Sequence, residues 1–223
     1  MKNILMNAEI TKALLDGRKT QTRRAGITNH GRYIIDDSLL KSYKLSNQNI
    51  LKCGKYQKDE VIWVREPAEI TNFIDTDTYA ELSFKYIADN ALGSINSDNT
   101  EEYDLVDFYE EKIYGKKWVK AGARVPNGCL KEMARIFLKI TDVRVEKLQD
   151  ISYEDIMAEG CDIDISDCVT YNDDGEKKSV SYSAYNWYRE LWNKTAPKGY
   201  KWEDNPYVFI YEFERVNKDG SEL

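Results

Sequence analysis

Two long β-patterned runs constrain the fold of this chain more than any other feature. In residues 207–216, Tyr207, Phe209, Tyr211 and Phe213 alternate against Val208 and Ile210. Both faces are apolar at first, which predicts a central strand covered on each side. Across residues 134–148, Ile136, Leu138 and Ile140 interleave with Phe137 and Lys139, and Val143 and Val145 resume after Thr141-Asp142. That pattern predicts a long strand with a bend or bulge at Thr141-Asp142. A third run, Val61-Ile62-Trp63-Val64-Arg65, predicts a mostly buried strand.

Helices are signalled between these strands by their ends. Asn7 can cap a helix from Ala8 to Asp16, with Ile10, Ala13 and Leu14 at helical spacing and Gly17 as its stop. Ser152 caps a second helix, Tyr153 to Glu159, ended by Gly160. Ser183 opens a third to about Asn193, with Trp187, Tyr188, Leu191 and Trp192 along one face. Ile4-Leu5-Met6 reads as a short strand and residues 79–87 as a candidate strand, while residues 25–60 and 93–102 read as irregular. Asn172-Asp173-Asp174-Gly175 reads as a hairpin tip. Separated strands with interposed helices and few βαβ units predict an α+β protein with a small, mostly antiparallel β-barrel or curled sheet. The expected organisation is one domain over residues 1–223, elaborated by an insertion at about 67–128.

The net charge of -7 hides a split. Through Arg65 there are 13 basic against 6 acidic residues, and beyond it 19 against 33. A protein that coats long duplex nucleic acid is usually basic throughout. One basic end suits a local anionic ligand such as a nucleotide or a short RNA element; mutual attraction of the two halves within the fold is the other reading. Four scattered cysteines, Cys53, Cys129, Cys161 and Cys168, with one histidine, argue against a zinc site and against a disulfide framework. No metal and no cofactor are expected. No stretch reaches the ~20 apolar residues of a membrane span, and the opening Met1-Lys2-Asn3-Ile4-Leu5-Met6-Asn7 is a poor secretion signal. The expectation is a cytoplasmic protein without a membrane partner.

The chemistry concentrates in Gly17-Arg18-Lys19-Thr20-Gln21-Thr22-Arg23-Arg24, placed where the first helix ends. Arg23, Arg24 and Arg65 carry guanidiniums suited to bidentate phosphate contact, with ion pairing to the acidic insertion as the alternative, and Arg18 joins them as a candidate ligand-binding cation. Trp63 can stack on a base, although a tryptophan in an apolar strand equally suits the core. A lysine with cationic neighbours in a buried setting loses its proton more readily, which makes Lys19 a candidate base.

Four blocks carry a resemblance. ILMNAEITKALLDGRKTQTRR from Ile4, VIWVRE from Val61, ITDVRVEKLQDISYEDIMAEG from Ile140 and NPYVFIYEFERV from Asn205 resemble the ASCH-domain family, most of all its longer phage and prophage members. The G-R-K-T-x-T-x-R stretch is the specific part. The resemblance implies a PUA-like barrel and an RNA or modified-nucleoside partner. One branch of the family hydrolyses the acetyl-amide of N4-acetylcytidine with a lysine, a threonine and a glutamate, which fall here on Lys19, Thr22 and Glu159. The family's R-E-T-W block reads Arg65-Glu66-Pro67-Ala68. Binding, amide hydrolysis, ribonuclease action and protein interaction through the acidic insertion all stand as readings at this point.

Overall fold

The long β-patterned runs become β-strands, and around them the chain forms an α+β structure with many strands and few helices. A computed structural model describes residues 1–25, 51–76, 79–96, 115–117, 119–125, 128–163, 169–171, 177–180 and 182–223. The expected hairpin tip at 172–175 and most of the irregular stretch at 25–60 lie outside these residues.

In chain order the strands are β1 (Asn3–Leu5), β2 (Gln21–Ala25), β3 (Val61–Arg65), β4 (Ala68–Asp75), β5 (Ala80–Tyr86), β6 (Leu92–Asn96), β7 (Phe137–Lys147), β8 (Val169–Tyr171), β9 (Lys177–Val180) and β10 (Tyr207–Val216). The helices are α1 (Ala8–Leu15), α2 (Tyr153–Ala158) and α3 (Tyr182–Thr195). One sheet has the order β1-β3-β7-β10-β2, a second β4-β5-β6, and β8 pairs with β9. In the five-stranded sheet β1 and β2 are the end strands, so the barrel expected from the sequence is not closed by the described residues. β7 continues through Thr141 and Asp142.

The chain divides into two compact units, Met1–Lys12 with Val61–Leu138 and Val216–Leu223, and Ala13–Glu60 with Lys139–Arg215. In the first, β1 pairs parallel with β3, bringing Asn3 opposite Trp63. Its core joins Trp63, Ala68, Ile70, Leu82, Phe84 and Tyr86. Ile95 and Val125 join the same core, so the described residues of the acidic stretch pack with Trp63 of β3. β6 overlaps the start of the stretch read as irregular, 93–102. Its Leu92 and Gly93 give no alternation, yet the ladder to β5 runs from Lys85↔Leu92 to Glu81↔Asn96.

In the second unit β2 pairs antiparallel with β10, with Thr22 opposite Tyr211 and Arg23 opposite Ile210. The basic segment follows the end of the first helix, and only its first half forms the connecting turn. Its second half is a strand, because β10 supplies a hydrogen-bonding edge that overrides the polar composition of Gln21–Ala25. α2 begins at Ser152, whose hydroxyl accepts from Asp155 N while the Asp155 carboxylate accepts from Ser152 N. The apolar face of α3 packs Ala184, Tyr188 and Trp192 with Ile156 of α2 and Val208 and Ile210 of β10.

Candidate functional site

Strand periodicity decides which basic side chains meet α2. Gln21 and Arg23 are two apart, so they leave β2 on one face. Asp155 and Glu159 are four apart on α2 and its last turn, so they too share a face. The two faces meet. Gln21 Nε2 donates to Asp155 Oδ1 at 2.9 Å. Arg23 Nη2 donates to Asp155 Oδ2 at 2.8 Å, and Arg23 Nη1 lies 3.4 Å from Glu159 Oε1.

Lys19 enters from the turn before β2. Its backbone forms an antiparallel bridge with Glu159. Its Nζ donates to Glu159 Oε2 at 2.7 Å and to the Glu159 carbonyl at 2.9 Å. Lys19 and Glu159 are each 3% exposed. The approach depends on Gly160, whose φ is +102° and where a Cβ would meet the Ala13 Cβ at 2.8 Å and the Lys19 Cβ at 3.3 Å. A side chain there would force the turn off the helix end.

The cluster extends outward as alternating charge. Arg144 donates to Asp155 Oδ1 at 3.1 Å and to Glu146 at 2.9 Å, and it also bonds Glu212. The chain of partners thus runs Glu212, Arg144, Asp155, Arg23, Glu159, Lys19, from half-exposed side chains to fully buried ones. Arg18 lies beside it, with Nη1 donating to the Gly160 carbonyl at 2.7 Å and Nη2 to Asp16 at 3.2 Å.

Burial pushes the Lys19 amine below the usual lysine value. The charge and hydrogen bond of Glu159 pull it back up, and Arg24 and Arg23 add to the lowering. For Asp155, burial alone would raise the carboxyl. Hydrogen bonds from Gln21, Ser152 and Arg23, with the charge of Arg23, hold it below the usual range. Tyr188 of α3 faces the same charges; burial and then Glu159 push its hydroxyl well above its ordinary value. Arg23, with a wholly buried side chain, keeps its Nε without a hydrogen-bond partner among the described residues.

Of the residues singled out in the sequence, Lys19, Glu159 and Arg23 come into direct contact. Thr22 is 2% exposed, but it alternates with Gln21 and Arg23 and pairs across from Tyr211. Among the described residues its hydroxyl makes no hydrogen bond to Lys19 or Glu159. Arg24 follows the same alternation, opposite Phe209, with Nη1 donating to the Arg23 carbonyl. Trp63 is 5% exposed and belongs to the core of the first unit with Ala68 and Ile70. Arg65 belongs to that unit as well, half-buried at the end of β3.

Asp155, Gln21 and Arg144 are cluster members that the sequence reading missed. The available signal was paired spacing: Gln21-x-Arg23 in an extended segment and Asp155-x-x-x-Glu159 in a helix. Among the described residues no group of three or more His, Cys, Asp or Glu side chains could hold a metal ion. Comparison with protein-family models, curated proteins and solved structures finds no match. No described helix is long and apolar enough to cross a membrane.

Proposed function

We propose that this chain is an ASCH-type protein with a PUA-like barrel that binds a nucleoside, holding the base edge against Lys19 and Glu159. The observation that carries the reading is the 2.7 Å contact between Lys19 Nζ and Glu159 Oε2, a cationic donor and an anionic acceptor side by side and buried. A base edge presents the same pair in reverse, a ring or carbonyl acceptor beside an exocyclic N–H, and carboxylates accept well from cytosine N4. Arg23 Nε adds one more buried donor.

The charges favour a neutral ligand over a phosphate chain. Arg18, Lys19 and Arg23 each already face a carboxylate, from Asp16, Glu159 and Asp155 respectively. A phosphate entering here would meet those carboxylates as well as the cations. Nucleoside binding of this kind is nearly independent of salt, whereas backbone recognition weakens steeply as salt rises.

Calorimetric titration with cytidine, N4-acetylcytidine and short single-stranded RNA at two salt concentrations tests the reading. The expected result is nucleoside binding that is insensitive to salt and lost in Glu159→Gln. Salt-dependent RNA binding that is unchanged in Glu159→Gln, with no nucleoside binding, would remove it.

Amide hydrolysis is the second reading, favoured by the lowered Lys19 amine. A neutral lysine can accept a proton from a nucleophile, and Glu159 beside it can support the charge that follows. The nucleophile would be Thr22 or water. Release of cytidine from N4-acetylcytidine, followed by chromatography, is expected to stop in Lys19→Met and, if the hydroxyl attacks, in Thr22→Ala. No turnover at high protein concentration ends this reading and leaves the binding site intact.

A further inference from the structure

Glu159 faces two cations, and the geometry divides them unequally. Lys19 Nζ lies 2.7 Å from Oε2, while Arg23 Nη1 lies 3.4 Å from Oε1. Arg23 makes its short contact elsewhere, with Asp155 Oδ2 at 2.8 Å. Its next carboxylate, Glu146, is 3.8 Å away. A guanidinium prefers two parallel bonds to one carboxylate. Without Asp155, the nearest acceptor for such a fork is Glu159.

Asp155 is held for this task from several sides. Its Oδ1 accepts from Gln21 Nε2 at 2.9 Å and from Arg144 Nη2 at 3.1 Å. Its Oδ2 accepts from Arg23 and from Ser152 N at 3.2 Å. The helix cap thereby sets the height of the carboxylate on α2, and Arg144, itself bound to Glu146 and Glu212, closes the outer side.

We infer that Asp155, anchored by Arg144 and Gln21, is a positioning residue that draws Arg23 away from Glu159 and so reserves the Glu159 carboxylate for Lys19. The inference deepens the proposed nucleoside site, which relies on Lys19 and Glu159 standing as a pair. The groups facing Lys19 are Glu159 from the end of α2, Arg23 and Arg24 from β2 and, across Glu159, Tyr188 from α3. Loss of the Asp155 charge leaves two cations sharing one carboxylate. Lys19 then gives up its proton at lower pH.

The experiment follows the Lys19 Nζ titration by NMR in protein carrying 15Nζ-lysine, with the signal assigned by its absence in Lys19→Met. Asp155→Asn is expected to move the midpoint down by about one pH unit. Ser152→Ala removes the hydroxyl that accepts from Asp155 N but keeps both the Asp155 charge and the Ser152 N–H that holds its Oδ2, and it leaves the midpoint in place. Arg23→Met moves it upward, and Asp155→Asn added to Arg23→Met produces little further change. An unmoved midpoint in Asp155→Asn, or the same downward shift in the Arg23→Met background, overturns the inference. Should Asp155→Asn not fold, an unmoved midpoint in Arg23→Met overturns it equally. No ligand is needed, so a protein that binds no nucleoside still gives the answer.

Discussion

Glu66 and Glu159 are both buried carboxylates gripped by arginine, and they differ in how completely the grip is made. In the first unit Arg135 binds Glu66 through Nε at 2.9 Å and Nη2 at 2.8 Å. The same guanidinium binds Asp89 through Nη1 and Nη2, both at 2.9 Å, and lies 3.8 Å over the Tyr86 ring. Two carboxylates hold one arginine in two bidentate contacts, and an aromatic face covers it. In the second unit Arg23 is split between Asp155 and Glu159, its Nε has no partner among the described residues, and Lys19 is depressed by burial. The first arrangement is a closed clasp. The second leaves hydrogen-bonding capacity inside the protein. Buried charge alone therefore does not distinguish the two, and neither does one unpaired guanidinium nitrogen, since Arg65 Nε of the first unit lacks a partner among the described residues as well. The difference lies in Arg23 being divided between two carboxylates while Lys19 shares one of them.

The clasp should give the largest stability loss when it is broken. Arg135→Met leaves Glu66 buried without its partner and is expected to cost about 3–5 kcal/mol, read from urea unfolding. A loss below about 1 kcal/mol would mean that the contrast with the Lys19 cluster is not one of saturation.

Gly160→Ala comes next, at about 2 kcal/mol, because it combines a positive φ with a close approach to Ala13. Its nucleoside affinity should fall as well, since the same turn places Glu159 against Lys19. Retained affinity together with lost stability would separate the turn from the site.

Lys19→Met should have the smallest effect on stability, about 1 kcal/mol, because Glu159 keeps Arg23 and the cost of burying an ammonium disappears. It also has a pH signature. The folded Lys19 value lies below its unfolded value of 10.5, so between the two the unfolded chain binds more protons. Stability contributed by this group is therefore present above the unfolded value and lost as pH falls through the folded one. Unfolding measured across the alkaline range should show that rise in the wild type and lack it in Lys19→Met. Asp155, held below the ordinary aspartate value, gives the corresponding loss only as pH falls into the acid range.

Much of the framework was legible from local pattern. β3 and β10 lie where apolar β-residues predict them, and α2 begins at the Ser152 cap. β4 and β6 were not legible. Asn72, Gly93 and Ser94 interrupt any alternation, and their pairing with β5 depends on a core shared with Trp63. The site was partly legible. Lys19 and Glu159 could be proposed together through a family pattern, but nothing in the local pattern singled out Asp155 or Arg144.

The amino-acid sequence by itself determined where the long strands and capped helices form, since those follow from side-chain periodicity and from residues close together along the chain. Which carboxylate each basic residue of the Gly17–Arg24 segment faces was decided by the tertiary structure alone. Charges carry no period that reveals their partners. The choice depends on β2 pairing with β10 and on α2 turning Asp155 and Glu159 toward it, contacts between segments more than a hundred residues apart.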